Sequence, residues 1–115
     1  MLVKRFHDAK PYEAPNHFDM RGLRLQGFED GGPEKFWVGC SHFLPGGGAG
    51  PDATPLEKVY VVLDGALTVE AEGETVVLES MDSITIGANV ERRIVNNSND
   101  TCTMLVIMPY PEGAK

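Results

Sequence analysis

The chain has 115 residues, 42% of them hydrophobic and 23% charged, which is the length and mixture of one soluble globular domain with no room for a second core. A net charge of −7 with only 10 Lys plus Arg excludes the basic footprint that nucleic acid or an anionic membrane requires. No apolar run is long enough to span a bilayer, and Lys4, Arg5, Asp8 and Lys10 interrupt the amino end, so the expected compartment is the cytoplasm.

Residues 1–20 hold Pro11 and Pro15 and little periodicity, which predicts an extended arm laid over a domain of residues 21–110, with 111–115 as a tail. Leu23 and Leu25 alternate with Arg24 and Gln26 as in a half-buried strand, before a break at Gly31-Gly32-Pro33. A strand is expected from Phe36 to Leu44, ended by a mobile, polar loop running from Pro45 through Gly46, Gly47 and Gly48 to Gly50-Pro51. Val59–Leu63, Asp64-Gly65 and Ala66–Ala71 read as a hairpin on a type I′ turn, followed by a second turn at Glu72-Gly73-Glu74. Thr75–Leu78, Ser83–Ile86, Arg92–Val95 and Thr101–Met108 complete a series of short strands without an amphipathic helix. The pattern predicts an all-β sandwich or barrel.

In the last strand Met104, Val106 and Met108 share one face, and Leu105 and Ile107 the other. An apolar outer face predicts a covering arm or, by preference, a homodimer. Cys40 and Cys102 stand 62 residues apart with no metal-like spacing and are expected as two reduced, buried thiols.

Over residues 44 to 97 the chain resembles the cupin family. The first cupin motif, G-x5-H-x-H-x3-E-x6-G, is met in spacing by Gly46, Asp52, Thr54, Lys58 and Gly65; the second, G-x5-P-x-G-x2-H-x3-N, by Met81, Gly87, Asn89, Arg92 and Asn96. The 15 residues between Gly65 and Met81 equal the short gap of compact cupins. The resemblance implies a single-domain jelly-roll barrel of the RmlC-like type. It also implies that Asp52, Thr54, Lys58 and Arg92 project into the barrel where relatives carry the three histidines and the glutamate that hold a divalent metal. Two cations and one carboxylate are poor ligands, so the expectation is a cupin with no cofactor. A displaced divalent site using His42 and Glu57, with His17 or Asp19 from the arm, remains the alternative.

Lys58 and Arg92 sharing a pocket at an assumed ~5 Å would repel by roughly 3 kcal/mol at an effective dielectric of ~20. Either Asp52 or Glu57 closes a permanent salt-bridge network, or a bound carboxylate or phosphate supplies the missing charge. In the second case Arg92, Asp52 and Thr54 are the ligand-binding candidates. Lys58 is the candidate general base or Schiff-base lysine, its pKa depressed by burial and by Arg92. Tyr60 follows on the same face as a donor, and His42 serves as a proton shuttle or as a core histidine with a backbone partner. The expected function is binding of a small organic acid, with isomerase, epimerase or lyase chemistry; a non-catalytic binding module and a metal-dependent dioxygenase or decarboxylase are the alternatives.

Overall fold

A computed structural model describes residues 1–113. Nine strands run in chain order: β1 Lys10–Tyr12, β2 His17–Gln26, β3 Phe36–Asp52, β4 Lys58–Asp64, β5 Leu67–Ala71, β6 Glu74–Leu78, β7 Ser83–Ile86, β8 Arg92–Val95 and β9 Cys102–Pro109, with short 3-10 turns at Phe6–Asp8 and Phe28–Asp30. Hydrogen bonds link them in the order β6-β5-β8-β3-β9-β4-β7, with β2 also on β3 and β1 on β2. The result is a nearly closed jelly-roll barrel, as the alternation and the motif spacing predict. No helix among the described residues is long and apolar enough to cross a membrane.

Strand β3 organises the barrel because it changes partners along its length. Its first half, Phe36–Phe43, pairs with β9, and its second half pairs with β8 through Gly48↔Val95, Ala49↔Ile94 and Asp52↔Arg92. The expected mobile glycine loop is therefore a correction: Gly46–Gly50 lie inside a strand. The glycines are there for close approach. A Cβ on Gly47 would strike the carbonyl oxygen of Asp19, and one on Gly48 that of Ile94, so strands β2 and β8 press against bare backbone.

The hairpin expected at Asp64-Gly65 is a second correction. Strand β4 pairs with β7 and β9, whereas β5 pairs with β6 and β8, so residues 65–66 carry the chain from one side of the barrel to the other. Only Gly65 there has positive φ, at 88°, whereas a type I′ turn needs two such residues. That turn occurs one element later, at Glu72 (φ 54°) and Gly73 (φ 75°) between β5 and β6.

The inward residues of the strands form one core, in which Phe43, Val62, Leu67, Val69, Ile94 and Cys102 are fully buried. Met104 and Val106 of β9 face this core, while Leu105 and Ile107 on the other face are half-buried. Cys40 and Cys102 are both buried and unlinked. The amino-terminal segment is extended but not separate from the sheet: Lys10–Tyr12 pairs with Gly22–Arg24 on β2, and β2 itself begins at His17. Of the predicted tail 111–115, residues 114 and 115 lie outside the described part.

Candidate functional site

Strands β3, β4 and β8 bring the motif residues to one cavity of about 330 Å³, whose lining includes Asp52, Thr54, Lys58, Tyr60 and Arg92. Period-2 alternation explains the set on β4: Lys58, Tyr60 and Val62 point inward, and Val59 and Val61 point out. Lys58, Tyr60 and Arg92 retain only 4%, 3% and 5% of their accessible surface. The two cations thus sit deep in the barrel, as the spacing predicts.

Their partners are neutral. Arg92 Nε donates to Tyr60 Oη at 2.8 Å, and Lys58 Nζ donates to Thr54 Oγ1 at 3.1 Å. Buried Arg92 Nη1 has no hydrogen-bond partner, and the ion pairs among the described residues all involve other, exposed residues. The permanent salt-bridge network is therefore not formed. Asp52 Oδ1 instead accepts from the Ala53 backbone N–H at 2.9 Å, and exposed Glu57 does not line this cavity.

Burial lowers the Lys58 pKa from the ordinary 10.5, the Arg92 charge lowers it further, and Asp52 opposes both. Burial raises Tyr60, against the opposing Arg92 charge, and pushes Tyr12 up to about 12. A protonated Lys58 is penalised in the fold and free in the unfolded chain, so its contribution to stability is lowest below the folded-state value and recovers as pH approaches 10.5. The affinity of an anion held beside Lys58 would follow the opposite sign: it is expected to fall as pH climbs toward 10.5, while Lys58→Met would bind that anion more weakly and lose the pH dependence. Emission of Trp37, the single tryptophan and part of the cavity wall, measures both.

His42 is placed elsewhere. It lies on the outward face of β3, where its Nδ1 meets Thr103 Oγ1 at 3.2 Å, its Nε2 lies 3.7 Å from Cys40 Sγ, and Phe6 packs edge-on with centroids 6.1 Å apart. The shuttle role for His42 is corrected by this alternation: Trp37, Ser41 and Phe43 point in, so His42 points out. The displaced metal site fails for the same reason, since His42 and Glu57 share no cavity, and no three His, Cys, Asp or Glu among the described residues converge.

The cavity's own histidine is His17, from the start of β2. Burial and the Arg92 charge lower its pKa from 6.5, against the Pro15 hydrogen bond and Asp52, so it is neutral at pH 7. Its Nδ1 lies 2.7 Å from the Pro15 carbonyl oxygen, which accepts only, so Nδ1 carries the proton and Nε2 is left as a base. Sequence reasoning offered His17 only as an arm ligand of the displaced metal site, because its region carries no strand periodicity that would place it in the cavity. It missed Tyr12, Arg24, Phe28 and Trp37, which also line the cavity. One signal was available: Gly22 and Gly39 leave the space that the Tyr12 and Trp37 rings fill.

The model of the Cupin domain family matches residues 40–108. This chain is a cupin. Over 111 residues, 96% of each sequence, it is 41% identical to the Mycobacterium tuberculosis protein named beta-D-galactosidase Rv1717. Its fold is similar to the polyketide cyclase RemF of Streptomyces resistomycificus, with a TM-score of 0.83 at 21% identity over 95% of this chain and 79% of that one. It is also similar to KdgF of a Halomonas species, with a TM-score of 0.78 at 16% identity over 97% and 96% of the two chains. As a cupin it keeps Asn96 of the second motif and replaces the other motif residues. Met81 and Asn89 stand at glycine positions and hold φ of 73° and 63°, conformations that glycine adopts without cost. At the metal positions Asp52, Thr54, Lys58 and Arg92 do not fit a divalent ion, since ammonium and guanidinium groups have no lone pair to give.

Proposed function

We propose that this cupin binds a small organic acid through Arg92 and Lys58 and moves a proton at the carbon beside the bound carboxylate. The observation that carries the reading is a pair of buried cations with no carboxylate partner, on a cavity that also holds a neutral histidine and a tyrosine. A carboxylate or phosphate there takes bidentate donors from Arg92 and a point charge from Lys58. Tyr60 Oη already accepts from Arg92, so its own proton is free to donate to a substrate oxygen.

In the proposed step the substrate C–H proton passes to His17 Nε2. The electron pair spreads onto the adjoining oxygen, which Tyr60 and Arg92 stabilise, and return of the proton to a different face or atom completes an isomerisation. Lys58 holds the anion rather than accepting the proton, because neutral His17 is the better base at pH 7. The expected homodimer belongs to this reading, supported by the half-buried Leu105 and Ile107 on the outer sheet face.

The test is solvent deuterium exchange at the α-carbon, followed by proton NMR on a panel of small hydroxy and keto acids. His17→Gln and Tyr60→Phe are expected to slow exchange by roughly 100- to 10,000-fold while retaining binding. Saturable binding without exchange would make the protein a binding module, and no binding of any acid would overturn the reading.

One observation favours a second reading. The 41% identical relative carries the name of a galactosidase, and Glu13 and Asp52 both line the cavity, as glycoside hydrolysis by a carboxyl pair requires. Release of nitrophenol from a nitrophenyl β-galactoside, lost in Asp52→Asn and Glu13→Gln, supports this reading; no release overturns it.

A further inference from the structure

Arg92 pairs with Asp52 at the end of β3 and shares the cavity with Lys58. Arg24, from β2, pairs instead with Gly39 in the first half of β3, yet it lines the same space as Lys58, Arg92 and Asp52. Its guanidinium carbon lies 3.7 Å from the Phe28 ring centroid and 4.7 Å from that of Tyr12, so its contacts on both rings are through cation–π stacking. Stacking engages the faces of a guanidinium and leaves its in-plane N–H edge for hydrogen bonds. Among the described residues that edge is unmet at Nε, which is buried and without a partner.

Local carboxylates do not answer it. Arg24 also borders the groove under Leu2–Lys10, where Asp30 lies, but Asp30 Oδ1 is held by Lys10 Nζ at 3.0 Å. Glu13 is exposed at the cavity rim, whereas Asp52 is half-buried beside Lys58 and Arg92. Three cations, Arg24, Lys58 and Arg92, thus line the cavity with two carboxylates, of which only Asp52 is half-buried, and with His17 neutral at pH 7. The positive charge therefore exceeds the negative, and it is divided between Arg24 on β2 and the pair Lys58 and Arg92 on β4 and β8.

We infer that the ligand is a dianion with two separated acidic groups, one bound by Arg92 and Lys58 and the other by the in-plane edge of Arg24, its carbon chain lying along Trp37 and Met104. This inference rests on the anion-binding reading above and adds a substrate class to it. A monoacid would leave the buried Arg24 donor unmatched, whereas a second carboxylate or phosphate gains a charge-assisted bond from a group already fixed by two rings.

The experiment titrates Trp37 emission with a series of linear dicarboxylates, succinate to adipate, and with monocarboxylates of matching length. In the unmodified protein at least one dicarboxylate is expected to bind about tenfold or more tightly than its matched monoacid. Arg24→Gln is expected to abolish that preference by weakening dicarboxylate binding far more than monoacid binding. Arg24→Lys, which keeps a charge over the rings without the planar edge, should recover only part of it. Circular dichroism melting of each variant accompanies the titration. Monoacids that bind as well as every dicarboxylate overturn the dianion while leaving the acid pocket standing. So does an Arg24→Gln variant that loses both ligand classes alike. Failure of all acids to bind overturns the acid pocket itself.

Discussion

Arg92→Met is expected to weaken binding of a small carboxylate by roughly 30- to 5,000-fold, the equivalent of losing about 2–5 kcal/mol from a buried charge-assisted contact. The same change should leave stability nearly untouched. Two terms oppose each other: removing a buried guanidinium that has no anionic partner stabilises by roughly 1–4 kcal/mol, and stranding the Tyr60 hydroxyl costs about 1–3 kcal/mol. Arg92→Met/Tyr60→Phe, which removes both ends of the 2.8 Å bond, is therefore expected to melt above Arg92→Met alone. Calorimetric titration and thermal melts separate the two effects. If affinity and melting temperature fall together, Arg92 holds the barrel rather than a ligand.

The largest effect on stability is expected from Asn96→Ala. Asn96 is fully buried, and its side chain ties the start of β9 to the bend of β3. Its Nδ2 donates to the Phe43 and Asp100 carbonyl oxygens at 3.0 and 2.8 Å, and its Oδ1 accepts from Ser98 N and Ser98 Oγ at 3.0 and 2.7 Å. Truncation strands the Phe43 carbonyl and the Ser98 N–H, leaves the Asp100 carbonyl to Ser98 Oγ alone and opens a void, which together should cost roughly 3–5 kcal/mol. For a domain of this size that is a fall of roughly 12–20 °C in melting temperature. Ser98→Ala removes one of these bonds from a half-exposed position and should cost about 1 kcal/mol. Equal losses in the two variants would show that the network is not centred on Asn96.

These two residues mark what could be read from the sequence. Arg92 and Asn96 were placed by motif spacing, and strands β7 and β8 were bounded correctly at Ser83–Ile86 and Arg92–Val95, because short apolar alternation between turn residues has few other solutions. The site was legible wherever one motif strand supplied it. The inward direction of Lys58 follows from that of Tyr60, since side chains two apart share a face.

What escaped reading depended on contacts between distant segments. A glycine run signals flexibility locally, yet Gly47 and Gly48 serve the approach of Asp19 and Ile94, 28 and 46 residues away in the sequence. Asp64-Gly65 has the composition of a hairpin turn, but the partners of β4 lie in β7 and β9, which no local signal reveals. The histidines were exchanged for a similar reason. Both faces of β3 are apolar enough to hide its orientation, so His42 looked available, while His17 owes its position to pairing with Ala49.

The segment that carries Tyr12, Glu13, Pro15 and His17 to the cavity is held at its outer end by three residue pairs, Lys10↔Arg24, Pro11↔Leu23 and Tyr12↔Gly22. So short a ribbon frays far more often than the barrel unfolds. Were a molecule held in the cavity, its release would be timed by the peeling of that ribbon rather than by breathing of the core, and its residence time would be adjustable by residues that never touch it.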